Sequence, residues 1–147
     1  MQNLPQRPSG AFVMASWVAM FAGMLAYLIG LWNATLLLSE KGFYFTVLMF
    51  GLFSAISLQK SVRDRLENIT VTPIYYGICW IAVIMAIVLL AIGLWNADML
   101  LSEKGFYAMS FTLSMFAAIT VQKNTRDIAL IEAMQGPRRP PPPASEE

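Results

Sequence analysis

Histidine is absent from the 147-residue sequence, and cysteine occurs once, as Cys79. The first absence removes the commonest general base and the commonest metal ligand. The second rules out an intramolecular disulfide and leaves the redox compartment open. Charge is also scarce: Asp, Glu, Lys and Arg make up 13% of the chain, about half the share usual in a soluble domain. With a net charge of +1 there is no basic face to neutralise phosphates, so nucleic acid is not an expected partner. What the chain has in excess is apolar surface, with 57% hydrophobic residues. A soluble protein of this size has too little interior to hide that much. Lipid as solvent removes the difficulty, and the first expected partner is the bilayer itself.

Four apolar stretches stand out, Ala11 to Leu38, Phe43 to Leu58, Ile74 to Leu101 and Phe106 to Val121. Crossing ~30 Å of hydrocarbon takes about 20 helical residues. The first and third stretches exceed that length and the second and fourth fall short. The short ones are therefore expected to continue as helix through Gln59-Lys60 and Gln122-Lys123.

The stretches are copies of each other. Gly30-Leu-Trp-Asn-Ala34 recurs as Gly93 to Ala97, and Leu37-Leu-Ser-Glu-Lys-Gly-Phe-Tyr44 recurs as Leu100 to Tyr107. Trp17 returns as Trp80, Gln59-Lys60 as Gln122-Lys123, and Arg63-Asp64 as Arg126-Asp127, always 63 residues on. The expected fold is an all-α membrane protein of four transmembrane helices, arranged as two tandem, parallel-repeat helical hairpins. Each hairpin reads as a long helix, a polar Ser-Glu-Lys-Gly turn and a short helix. The repeat also argues that the first apolar segment is a structural helix rather than a cleaved signal. The domain reading is a short N-terminal tail at 1–10, a first repeat at 11–67, a second at 74–130, and a proline-rich tail without structure at 131–147. Lysine and arginine fall mainly on one side: Arg7, Lys60, Arg63, Arg65, Lys123, Arg126, Arg138 and Arg139 against Lys41 and Lys104. Both termini are expected in the cytoplasm.

Two groups of residues are candidates for function. The first is polar and lies at the outer turns: Asn33, Glu40 and Lys41, with Asn96, Glu103 and Lys104 in the second copy. Asn33 and Glu40 are seven apart, which on a continuous helix places them on nearly one face. Two such faces meeting across the pseudo-twofold would make a small polar site. In the plainer reading the asparagines fasten one helix to the next and Glu-Lys belongs to the turn. Asp98, which replaces Thr35 of the first copy, joins this group as a carboxylate near a helix end. The second group is a small-residue packing face on the short helices: Gly51, Ala55 and Gln59, with Ser114, Ala118 and Gln122. Its glutamines, and the arginines Arg63 and Arg126 beyond them, cap a partner or, in the plainer reading, are solvated at the interface. The tryptophans read as belt anchors and the ten methionines as apolar filler.

The doubled Gly-Leu-Trp-Asn-Ala and Leu-Ser-Glu-Lys-Gly-Phe-Tyr blocks, each followed by Gln-Lys-x-x-Arg-Asp, resemble the YiaA/YiaB family of small bacterial inner-membrane proteins. The likeness covers roughly Ala11 to Leu130, and it implies an inner-membrane location and a layout of two two-helix domains. It implies no activity and no assigned site residues.

Three classes of function are in view. A structural or accessory membrane component, acting through helix packing on itself or on a membrane-protein partner, fits the small-residue faces. A small transporter or passive pore, with a polar site near Asn33 and Asn96, is the alternative. An enzyme is not expected, because no acid–base or nucleophile set is present, and no cofactor is implied.

Overall fold

The computed structural model describes residues 6–136. They form four helices: α1 (Gly10–Asn33), α2 (Leu38–Leu66), α3 (Pro73–Asn96) and α4 (Leu101–Gln135). All four are long and apolar enough to cross a membrane. At ~1.5 Å per residue, α2 and α4 outrun a ~30 Å hydrocarbon core and overhang it. Of the expected C-terminal tail, residues 131–136 are described, and 131–135 are helical, a continuation of α4. The rest of its proline-rich sequence, 137–147, lies outside the described residues.

Local chemistry sets the helix ends. Ser9 and Thr72 cap α1 and α3 by accepting the backbone N–H groups of Phe12 and Tyr75, and Pro73 opens α3 where its missing N–H costs nothing. α2 ends at Leu66, and two residues on Asn68 turns the chain with a φ of 59°, in the left-handed region that asparagine tolerates. The breaks between α1 and α2 and between α3 and α4 fall earlier than the apolar stretches suggest. The chain leaves the helix after Asn33 and Asn96 and re-enters it at Leu38 and Leu101. The Ser-Glu-Lys-Gly segments are therefore the first turns of α2 and α4, not the loops. Asn33 and Glu40 accordingly sit on different helices and share no helical face.

The packing is between repeats rather than within them. α1 lies along α4 and α3 along α2, while α2 and α4 cross at the centre; α1 and α2 touch only marginally and α3 hardly meets α4. The spatial order is α1–α4–α2–α3, two hairpins interlocked, with α2 and α4 as the more buried inner pair. The two tandem hairpins expected from the repeat are present, and each packs mainly on the other repeat. Short loops keep consecutive helices antiparallel, but the small residues that allow close approach face the other repeat.

Those contacts recur under the 63-residue offset. A Cβ on Gly30 of α1 would stand 2.7 Å from the Phe106 ring of α4, and one on Gly93 of α3 would stand 2.6 Å from the Phe43 ring of α2. The glycine of each Gly-Leu-Trp-Asn block is thus covered by the phenylalanine of the other copy's Gly-Phe-Tyr block. Nearer the middle, a Cβ on Gly23 would meet Ser114 Oγ at 2.7 Å and the Ser114 backbone nitrogen at 3.0 Å, so α1 and α4 touch backbone to backbone. Gly51 faces Phe111 and Met115 across the α2–α4 crossing. The central aromatic group is Tyr27, Tyr44, Tyr107 and Phe111. Tyr44 and Tyr107, equivalent in the two repeats, stack at 6.0 Å, and the fully buried Tyr27 donates its hydroxyl to the Tyr44 carbonyl at 2.9 Å.

Candidate functional site

The outer polar residues are distributed over two separate clefts rather than one site. One, of about 330 Å³, brings Asn33 and Thr35 of the first repeat beside Asp98 and Glu103 of the second. Its counterpart, of about 270 Å³, joins Glu40 to Asn96. Each cleft lies where the end of α1 or α3 meets the start of the other repeat's second helix. These first helices, at 24 residues each, are the shorter ones, the reverse of the order that the apolar stretches suggest, because α2 and α4 run on to 29 and 35 residues.

Within the clefts most polar groups are engaged in ending helices. Glu40 and Glu103 accept the backbone N–H groups of Leu37 and Leu100 at 2.7 and 2.8 Å, which satisfies donors left free at a helix start. Lys41 donates to the Trp32 carbonyl at 2.9 Å and Lys104 to the Trp95 carbonyl at 3.5 Å, cations placed on helix C-termini. Asn33 and Asn96 donate to the carbonyls of Ile29 and Ile92, one turn back on their own helices. The idea that these asparagines fasten one helix to the next is overturned; an exposed helix end offers a nearer acceptor. Asp98 is exposed in the loop. Trp32 and Trp95, each more than four-fifths exposed, project from the same end of the bundle.

The residues of the small face lie in or beside the core: Gly51, Ala55, Ser114 and Ala118 are buried, and Gln59 and Gln122 are half-buried. One helical turn beyond the glutamines lies a feature that single-residue reasoning missed. Arg63 pairs with Asp127, and Arg126 pairs with Asp64 at 2.6 Å, two reciprocal bridges between the repeats. Lys60 and Lys123 flank the two aspartates at 2.8 and 3.0 Å, and Glu67 joins both arginines, at 2.8 Å to Arg63 and 2.6 Å to Arg126. The arginines are therefore held in cross-repeat pairs rather than solvated. The hydrogen bond from Arg63, reinforced by Arg126, holds the Glu67 carboxyl below the usual carboxylate range. The stability it lends is present at neutral pH and is lost as the pH falls through that lowered value. The signal for the cluster was the repetition of Arg-Asp itself, since two copies of an Arg-Asp pair related by a twofold can exchange partners. Below it, Asn124 donates to Ser16 at 3.1 Å and Ser61 lies 3.5 Å from the buried Cys79, which are equivalent α1–α4 and α2–α3 contacts.

Between α2, α3 and α4 at this same end lies a groove of about 860 Å³. Ala55, Val83, Met115 and Ile119 form its apolar part, and Gln59, Arg63, Glu67 and Lys123 its polar end. No group of three or more metal-ligating side chains is found among the described residues.

The model of the yiaA/B two-helix domain matches twice, over residues 12–64 and 75–127. The chain is 53% identical over 130 residues to the inner membrane protein YiaA of Escherichia coli strain K12, covering 88% of this chain and 90% of that one. It is 32% identical over 95 residues to the inner membrane protein YiaB of the same organism, covering 64% of this chain and 80% of the relative. It is also 39% identical over 69 residues to the uncharacterised membrane protein YubF of Bacillus subtilis strain 168, covering 46% of this chain and 79% of the relative. No solved structure matches.

Proposed function

The chain belongs to the yiaA/B two-helix domain family, and from that premise we propose that it is a structural or accessory component of a bacterial inner membrane, acting through helix packing and not as an enzyme. The observation that carries this reading is the interlock. The residues repeated between the two halves are used on each other: Gly30 on Phe106, Gly93 on Phe43, Arg63 on Asp127 and Arg126 on Asp64. The repeated carboxylates Glu40 and Glu103 serve as helix caps. A repeated residue set consumed in cohesion supports a scaffold. Against the pore reading, tyrosines and Phe111 pack together in the bundle core, and among the described residues no Asp, Glu, Lys or Arg lies between the outer clefts and the ion-pair cluster.

Native mass spectrometry of the chain, extracted gently from its own membrane, tests the reading. A reproducible mass with a second protein is expected, together with liposome flux of small polar solutes no greater than in empty vesicles. Flux that is lost in Asn33→Ala and Asn96→Ala variants would establish the pore instead.

The termini face the cytoplasm in this reading, supported by the eight-to-two excess of lysine and arginine at their end. Single cysteines placed at Ser9 and at Ser39, in a Cys79→Ser background, check this. In intact cells an impermeant thiol reagent should label position 39 and spare position 9; the reverse pattern inverts the topology.

A further inference from the structure

Every residue lining the smaller outer cleft has an identical counterpart, 63 residues away, lining the larger one. The repeats are less alike elsewhere: Glu67, Val83 and Met115 of the groove at the other end correspond to Leu130, Met20 and Leu52. Packing and capping account for part of the identity, since Gly93 and Gly30 admit a phenylalanine and Glu40 and Glu103 cap helices. They leave three oxygen atoms in each cleft unexplained. Tyr44 and Tyr107 are 4% exposed, and phenylalanine would fill the same space. Each nevertheless carries a hydroxyl that is not sealed from solvent and has no hydrogen-bond partner among the described residues. A Cβ on Gly93 would stand 3.3 Å from the Tyr44 hydroxyl, and one on Gly30 3.5 Å from that of Tyr107, so the glycines keep both uncovered. Glu40 and Glu103 give one carboxylate oxygen to the cap and keep the other. Asn96 and Asn33 donate through nitrogen and keep the amide oxygen. All four of these carboxylate and amide side chains are exposed.

The uncommitted atoms accept hydrogen bonds, and no lysine or arginine lines either cleft. Lys41 and Lys104 are turned to the tryptophan carbonyls. A carboxylate, an amide and a phenolic oxygen match the three N–H donors of a primary ammonium. Phe43 with Ala97, and Phe106 with Ala34, supply apolar wall for a carbon body. A bare metal ion fits less well. Volumes of about 270 and 330 Å³ exceed the ~30 Å³ share of one water many times over, and no group of three metal-ligating side chains is found among the described residues.

We propose that each outer cleft binds the ammonium group of one small organic amine, held by Glu40, Tyr44 and Asn96 in the smaller cleft and by Glu103, Tyr107 and Asn33 in the larger. The proposal stands apart from the accessory reading. It requires no passage through the bundle and holds whether or not the chain has a protein partner.

The full chain, isotope-labelled in neutral maltoside micelles, is titrated with n-butylammonium chloride. NMR follows the side-chain amides of Asn33 and Asn96, which report the larger and the smaller cleft. Both should shift saturably, Asn33 at about fivefold lower concentration, because Asp98 adds a second carboxylate to its cleft. Sodium chloride and n-butanol should move neither. Glu40→Gln should abolish the Asn96 response alone and Glu103→Gln the Asn33 response alone, while glutamine still serves the cap. Asp98→Thr should make the two responses equal. Micelles doped with phosphatidylethanolamine distinguish the sources. Amides already saturated there assign the ammonium to a lipid, amides still responsive assign it to a soluble amine, and both outcomes uphold the site. No saturable shift, an equal shift with butanol, or a response that survives the matching glutamine variant overturns it. If a glutamine variant does not fold, butylammonium against butanol on the unaltered chain decides the matter.

Discussion

A Gly23→Leu variant should lose the packed form of α1. The α1–α4 contact at this point is backbone against backbone, and a Cβ alone would press to 3.0 Å on the Ser114 nitrogen and 3.1 Å on the Ser110 carbonyl oxygen. A rotating side chain gives way cheaply, whereas two helix backbones part only together. Over-packing a core costs about 1–3 kcal/mol where neighbours can adjust; here the cost should reach or exceed the top of that range. The melting transition in detergent should fall sharply or vanish. A disulfide engineered between Ser16→Cys and Asn124→Cys in a Cys79→Ser background should no longer form. Gly42, Gly77 and Gly105 have open space at Cβ and provide the contrast. Alanine at those positions should leave stability unchanged or raise it by about 0.5–1 kcal/mol, through the lower entropy of the unfolded chain. A Gly23→Leu protein as stable as the wild type would mean that α1 does not lie on α4.

The second large effect belongs to Arg126. Among the described residues it is the one cross-repeat partner of Asp64, whose side chain is nearly buried, and it also binds Glu67. Arg126→Ala leaves Asp64 with Lys60 alone. Because Lys60 still neutralises Asp64, the loss should fall short of the ~3–5 kcal/mol of a fully stranded buried charge and amount to about 1–3 kcal/mol, the worth of a hydrogen bond to a charged group. Exchanging the pair, as Arg126→Asp with Asp64→Arg, should recover a substantial part of the loss in a thermal melt. A double variant no better than the sum of the singles would show that the bridge is incidental.

The four spans, the repeat and the helical overhang past Gln59 and Gln122 were legible in the sequence, because hydrophobic length and the 63-residue offset are local or self-referential signals. The helix breaks were not. Leu36, Leu37 and Leu38 read as an unbroken apolar run, and the residue that opens α2 is capped through Glu40 without the serine or threonine that usually announces such a box. The interlock was hidden for a different reason. Identity between Gly30 and Gly93, or Phe43 and Phe106, says that two surfaces are equivalent but not which of them meet. The contacts that decide it, such as Ser16 with Asn124, join residues 108 apart. The same gap explains why Arg63 and Arg126 read as solvated at the interface until their aspartates were seen to be exchanged.

The α1–α4 contact also imposes an order on the making of the protein. The first helix to enter the membrane finds its principal neighbour only when the last one follows. Until then Gly23 and Gly30 lie bare to lipid and Ser16 lacks Asn124. A chain halted after its third span would hold two helices matched, α2 with α3, and leave the oldest one waiting. Membrane helices insert first and associate afterwards, so completion of this fold is set by the arrival of α4. Incomplete chains would be marked out for disposal by the face that the finished molecule conceals.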